Sequence, residues 1–106
     1  MASYNVELTR TADKQLRRIA KRDRNRMVEA IRGLADRPRP HGARKLQGYD
    51  DVYRIRVGRY RVVYEVFDDR VIVIVLKVGV DNLAPRIVRA KGADELGTSV
   101  FLQLLD

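Results

Sequence analysis

The chain is 106 residues long, enough for one domain with a modest core. It has no cysteine, which excludes a disulfide framework, a thiolate metal site and a cysteine nucleophile, and its longest apolar run, Val71 to Leu76, is far too short to cross a bilayer. Lys+Arg 22 against Asp+Glu 14 leaves +8, with a pI near 10.3, most of it from arginine. Arginine is suited to planar, bidentate phosphate recognition, so a nucleic acid or other polyanion leads the candidate partners; charge that only prevents aggregation is the plainer alternative. MASYNVELTR has no long apolar stretch, so no signal peptide is expected, and a cytoplasmic protein follows.

In chain order, Tyr4, Val6 and Leu8 alternate with Asn5 and Glu7 and read as a short half-buried strand. Thr11 can cap a helix in which Ala12, Leu16, Ile19 and Ala20 recur at helical spacing, with Lys14, Arg17, Arg18 and Lys21 on the other face. Asp23 can cap a second helix that turns Met27, Ala30, Ile31, Leu34 and Ala35 inward and ends at Pro38 and Pro40. Such a helical hairpin cannot bury its apolar stripe alone and needs a sheet to cover. After a basic loop, HGARKLQGYDD, three strands follow: Val52 to Val57, Tyr60 to Phe67 and Arg70 to Val78. Short separations and high β-propensity make these an antiparallel meander. The fold class is α+β, ordered β-α-α-β-β-β, with a twisted, mainly antiparallel sheet and the helical hairpin packed on one face.

The period of two along the meander sorts its side chains. Tyr53, Ile55 and Val57 share a face with Tyr60, Val62, Tyr64 and Val66, while Arg54, Arg56 and Arg61 point the other way. If the helices cover the Tyr/Ile/Val face, the arginines form an open basic floor on rigid strands, suited to a phosphate chain. By the same parity Tyr53, Tyr60 and Tyr64 belong to the core and not to a base-stacking surface. Solvated strand charges are the plainer alternative for the three arginines.

KLQG (Lys45 to Gly48), VYRIRVGRYRVVYEV and VIVIVLKVG (Val71 to Gly79) resemble the RelE-type toxins of bacterial toxin–antitoxin pairs, within the RelE/ParE superfamily. The resemblance spans roughly Tyr4 to Gly79 and implies a RelE-like domain over residues 1–89, with 90–106 a C-terminal tail. It implies an endoribonuclease that enters the ribosomal A site and cuts mRNA without metal or other cofactor. In this chemistry the ribose 2′-hydroxyl attacks the adjacent phosphate and leaves a 2′,3′-cyclic phosphate. A site of that kind positions the strand and stabilises charge building on the phosphate. Carried over by position, Arg61 faces the scissile phosphate, and Arg54 and Arg56 handle charge and protons. An arginine is a poor general base, so proton transfer is slowed or rests elsewhere. The implied partners are mRNA, the ribosome and a cognate antitoxin whose extended, acidic or amphipathic segment masks the basic surface.

The resemblance stops after Gly79. Asp81 stands where an arginine is expected, Ile87 falls near an expected tyrosine, and RAKGADELGTSVFLQLLD fits the pattern poorly. An acid among phosphate-binding arginines repels the substrate, which predicts weakened cutting. Arg44, Lys45 and Arg59 are expected to touch RNA, as are Arg17, Arg18 and Lys21, for which a solvated helix face is the alternative. His41, the only histidine, reads as a surface residue beside the basic floor, with a general base as the sharper alternative. Asp50–Asp51 and Asp68–Asp69 read as turn chemistry, so no metal is expected. Two other functions compete: a ParE-like inhibitor of DNA gyrase acting through protein contacts, and an RNA-binding module that does not cut.

Overall fold

The computed structural model describes residues 3–81. Its elements are β1 (Asn5–Leu8), α1 (Arg10–Arg17), α2 (Lys21–Gly33), β2 (Arg44–Lys45), β3 (Val52–Val57), β4 (Tyr60–Phe67) and β5 (Ile72–Val80). One five-stranded sheet forms in the order β1-β5-β4-β3-β2. β1 runs parallel to β5, and the remaining neighbours are antiparallel, as the meander reading requires. The expected basic loop contains the two-residue strand β2, which pairs Arg44 with Arg54 and Lys45 with Tyr53. No helix among the described residues is long and apolar enough to cross a membrane.

The helices cover the face that the parity assigns to them. Ala12, Leu16, Ile19, Met27, Ile31 and Leu34 pack with Ile55, Val62, Tyr64, Val66, Val73, Val75 and Val78 in one buried cluster. The β5 members of that cluster change parity between Val75 and Val78. A β-bulge does this: Val63 pairs with Lys77 but Tyr64 pairs with Val75, so Leu76 is the extra residue. The valines on both sides of the bulge therefore still face the helices. Tyr64 is buried and stacks on Tyr53 with ring centroids 6.0 Å apart, and its hydroxyl donates to the Pro38 carbonyl at 2.7 Å. Tyr53 and Tyr60 pack against the same cluster, as expected.

Both helix starts differ from the expected caps. The α1 cap is Thr9, not Thr11: Thr9 is still extended at the end of β1, and its hydroxyl accepts from the Ala12 amide at 2.9 Å. The same hydroxyl donates to the Leu76 carbonyl at 3.0 Å, so one buried side chain ties the helix to β5. α2 begins after Ala20 with no side-chain cap, and Asp23 lies in its first turn, where a negative charge suits the helix dipole. The connection after α2 is strapped to the β4–β5 turn. Arg39 grips Asp68 through two hydrogen bonds, 3.2 and 2.6 Å, and donates to the Tyr53 hydroxyl at 2.8 Å, while Tyr4 donates to Asp68 at 2.6 Å. Val71 closes that turn with φ 55, so the last strand starts at Ile72 and not at Arg70. The expected domain limit at residue 89, the tail and the reading placed on Ile87 lie outside the described residues.

Candidate nucleic-acid interface

The face of the sheet turned away from the helices carries Arg54 and Arg56 on β3, Arg61 on β4, and Lys77 and Gly79 on β5. Arg56 lies directly across from Arg61, and Arg61 from Gly79, so the three arginines meet on adjacent strands. Gly79 offers no side chain beside Arg61. The Arg61 guanidinium reaches across β5 and donates through Nη1 to the Val80 carbonyl.

These arginines are gathered, but not on an open floor. Arg61 is 0% exposed, the Arg54 side chain 15%, and the Arg56 side chain 64%. Val52, Val63 and Ile74, on the same face farther along the strands, are buried as well. The pleat fixed which face the charges take, while depth was set by surroundings that alternation does not encode. Arg61 pays for its burial: Nε and Nη2 have no hydrogen-bond partner among the described residues. Desolvation pulls its guanidinium below the usual arginine range; the nearby Asp81 charge opposes this and Arg54 adds to it.

Asp81 completes the cluster. Its Oδ2 lies 3.0 Å from Arg56 Nε and its Oδ1 3.7 Å from Arg54 Nη1, while its backbone N–H donates to the Arg59 carbonyl at 3.0 Å. The acid noticed in the sequence therefore sits among the arginines in space.

The remaining candidates divide. Arg44 joins Arg54 and Arg56 in lining a groove of about 790 Å³ between the end of α2, the turn after Pro40 and the edge of β3. Arg37 and His41 line it too. Arg37 was not singled out from the sequence, because only the path of the chain after α2 brings it there. Lys45 is exposed on β2, opposite Tyr53. Arg59, in the β3–β4 turn, lies over the Tyr60 ring at 5.4 Å, and its hydrogen bond to the Tyr60 hydroxyl raises its pKa. Arg17, Arg18 and Lys21 belong to the helical layer and are not brought to the three strand arginines. Arg17 is held there by Asp13 at 3.1 Å, one helical turn away. Among the described residues no group of His, Cys, Asp or Glu is arranged to hold a metal ion.

Residues 6–81 match the family described as ParE toxin of type II toxin–antitoxin system, parDE. The chain belongs to the RelE/ParE toxin superfamily. A putative toxin RelE1 of Methanocaldococcus jannaschii is 36% identical over 75 residues, 67% of this chain and 83% of that protein. The mRNA interferase toxin RelE of Escherichia coli is 32% identical over 79 residues, 73% of this chain and 82% of that one. Among solved structures, the intact E. coli RelBE toxin–antitoxin complex superposes with a TM-score of 0.66 at 30% identity, covering 74% of this chain and 96% of that one. The α+β order read from the sequence is thus the RelE fold, and the match ends at Asp81, close to where the motif resemblance stops.

Proposed function

We propose that this RelE/ParE-type chain is the toxin of a toxin–antitoxin pair and a ribosome-dependent endoribonuclease that cuts mRNA without metal. The observation that carries this reading is the meeting of Arg54, Arg56 and Arg61 on the sheet face away from the helices, graded from buried to exposed. The substrate supplies the nucleophile, its ribose 2′-hydroxyl, so the protein has to orient the strand and stabilise the phosphate as negative charge grows on it. Arg61, in a low-dielectric position, acts on the scissile phosphate. Arg56 at the surface draws the strand in, and Arg54 lies between them in depth. The adjoining groove, with Arg44 and Arg37, continues the basic track for flanking phosphates. The chain works in the cytoplasm, where ribosomes and mRNA are. Its antitoxin covers this basic surface with an extended acidic segment.

A second reading is favoured by the family description, which names ParE: inhibition of DNA gyrase by protein contact. The relatives named RelE and mRNA interferase weigh against it. Two assays separate the readings. Purified toxin is added to ribosomes programmed with a defined mRNA, and the 5′ ends are mapped; in parallel, gyrase supercoiling is followed. The expected result is ribosome-dependent cuts that Arg61→Ala abolishes, with supercoiling untouched. Supercoiling inhibition without cuts would replace the nuclease reading by the gyrase one.

A further inference from the structure

The Asp81 carboxylate turns one oxygen to Arg56 at 3.0 Å and the other to Arg54 at 3.7 Å, in the way a phosphodiester presents two non-bridging oxygens to paired guanidinium groups. Its position is fixed from behind, because its own N–H is bonded to the Arg59 carbonyl at the β3–β4 turn. The side chain is 26% exposed, so solvent and a ligand reach it. Arg61, whose guanidinium the Asp81 charge favours, has two buried nitrogens with no partner among the described residues. Two strand arginines thus meet one internal anion, and a third cation, Arg61, is near enough to feel its charge.

We propose that the Arg54–Arg56–Arg61 cluster is a phosphate subsite in which Asp81 is the resident stand-in, and that an RNA strand engages the subsite only by displacing the Asp81 carboxylate. Asp81 is therefore the residue that sets affinity at this site. It weakens binding of any isolated phosphate, and it makes productive binding depend on neighbouring phosphates held elsewhere along the basic track. The inference deepens the nuclease reading and rests on it for the identity of the ligand as RNA. It differs from a proton-accepting role for Asp81. A base would have to be retained for cutting, not displaced.

The test compares the wild-type chain with Asp81→Asn, which keeps the size of the side chain and one carbonyl acceptor. Binding of an all-2′-O-methyl hexanucleotide, which cannot be cut, is measured over a range of salt, and inorganic phosphate serves as a second probe. Asp81→Asn is expected to bind the hexanucleotide on the order of tenfold more tightly. Its log Kd against log salt should steepen by up to about 0.7, because no displaced carboxylate then has to take up a cation from solution. A purely structural tie between β5 and β3 would not change that slope. On the wild-type chain, the Asp81 carboxyl carbon resonance should move when the hexanucleotide is added, a measurement that does not depend on the variant folding. Equal or weaker binding by Asp81→Asn, an unchanged slope, or an unmoved carboxyl resonance beside bound oligonucleotide overturns the inference while leaving RNA binding intact. Phosphate binding with the expected difference, and no hexanucleotide binding by either protein, keeps the role of Asp81 and removes RNA as its ligand.

Discussion

Replacing Arg61 with methionine should make this protein more stable and abolish its cutting. The side chain is fully buried, two of its guanidinium nitrogens are unpartnered among the described residues, and desolvation depresses its pKa. Each buried donor left without a partner costs about 1–3 kcal/mol. Against this, Nη1 satisfies the Val80 carbonyl, a bond whose loss costs about 1 kcal/mol. Loss of the charge also frees Arg54 of a like neighbour but deprives Asp81 of a favourable one. Methionine fills most of the volume with a flexible apolar chain. Apolar replacement of buried charges is often neutral or stabilising by about 1–4 kcal/mol, and the terms here leave a gain of about 1–2 kcal/mol. For a domain of this size that raises Tm by roughly 5–10 °C, read by circular dichroism during thermal unfolding. Cleavage of ribosome-bound mRNA should fall by at least about 100-fold, the usual cost of removing one charge-stabilising donor. A methionine variant less stable than wild type by more than about 1 kcal/mol would show that Arg61 is a structural residue, and would refute the account of a charge held in place for catalysis.

Other outcomes follow from single contacts. Thr9→Val removes both the cap to Ala12 and the bond to the Leu76 carbonyl and should cost about 2 kcal/mol in urea unfolding, with Thr9→Ser recovering most of it. Asp68 has its pKa lowered chiefly by the Arg39 hydrogen bonds and then by Tyr4. Its contribution is therefore complete above the ordinary carboxylate range, near pH 4, and is lost as pH falls through the lower folded value; Asp68→Asn should flatten that part of the acid-unfolding profile. Val71 adopts φ 55, a conformation unfavourable for a β-branched residue, so Val71→Asn should raise stability by up to about 1 kcal/mol in the same urea assay.

The sequence made some features legible because a local period encoded them. Alternation along Val52–Val57 and Tyr60–Phe67 placed Ile55, Val62, Tyr64 and Val66 under the helices and Arg54, Arg56 and Arg61 on the other side, and the register confirms both sets. Alternation has no term for depth, which is why the open floor became a buried Arg61 beside an exposed Arg56. Nor does it announce a bulge: nothing local at Leu76 distinguishes an extra residue from its β-branched neighbours. The choice of Thr9 over Thr11 as cap was decided by where β1 ends, and that end is fixed by its parallel pairing with β5, some 67 residues away in the chain for the Thr9–Leu76 bond. Asp81 was conspicuous as a residue type out of place, but only the antiparallel return of β5 beside β4 put it within reach of Arg54 and Arg56. Arg37 carried no signal at all, since its place in the groove depends on the turn that follows Pro38 and Pro40.

The same pattern that builds the core builds the candidate site, and this couples folding to function more tightly than in a protein whose site lies on loops. Tyr60, Val62 and Tyr64 face the helices only in the register that pairs Arg56 with Arg61 and Arg61 with Gly79. A slip of one residue between strands would exchange faces, exposing the valines and driving the arginines beneath the helical pair. That alternative is strongly disfavoured, because it would bury several charges and expose the apolar cluster at once. The hydrophobic alternation therefore supplies the specificity that assembles the cationic cluster, while the cluster itself contributes little stability and, at Arg61, subtracts from it. A buried guanidinium acts on a nearby phosphate through a lower effective dielectric than a surface one does, so under the proposed role of Arg61 the burial that costs stability also strengthens its pull on the developing charge.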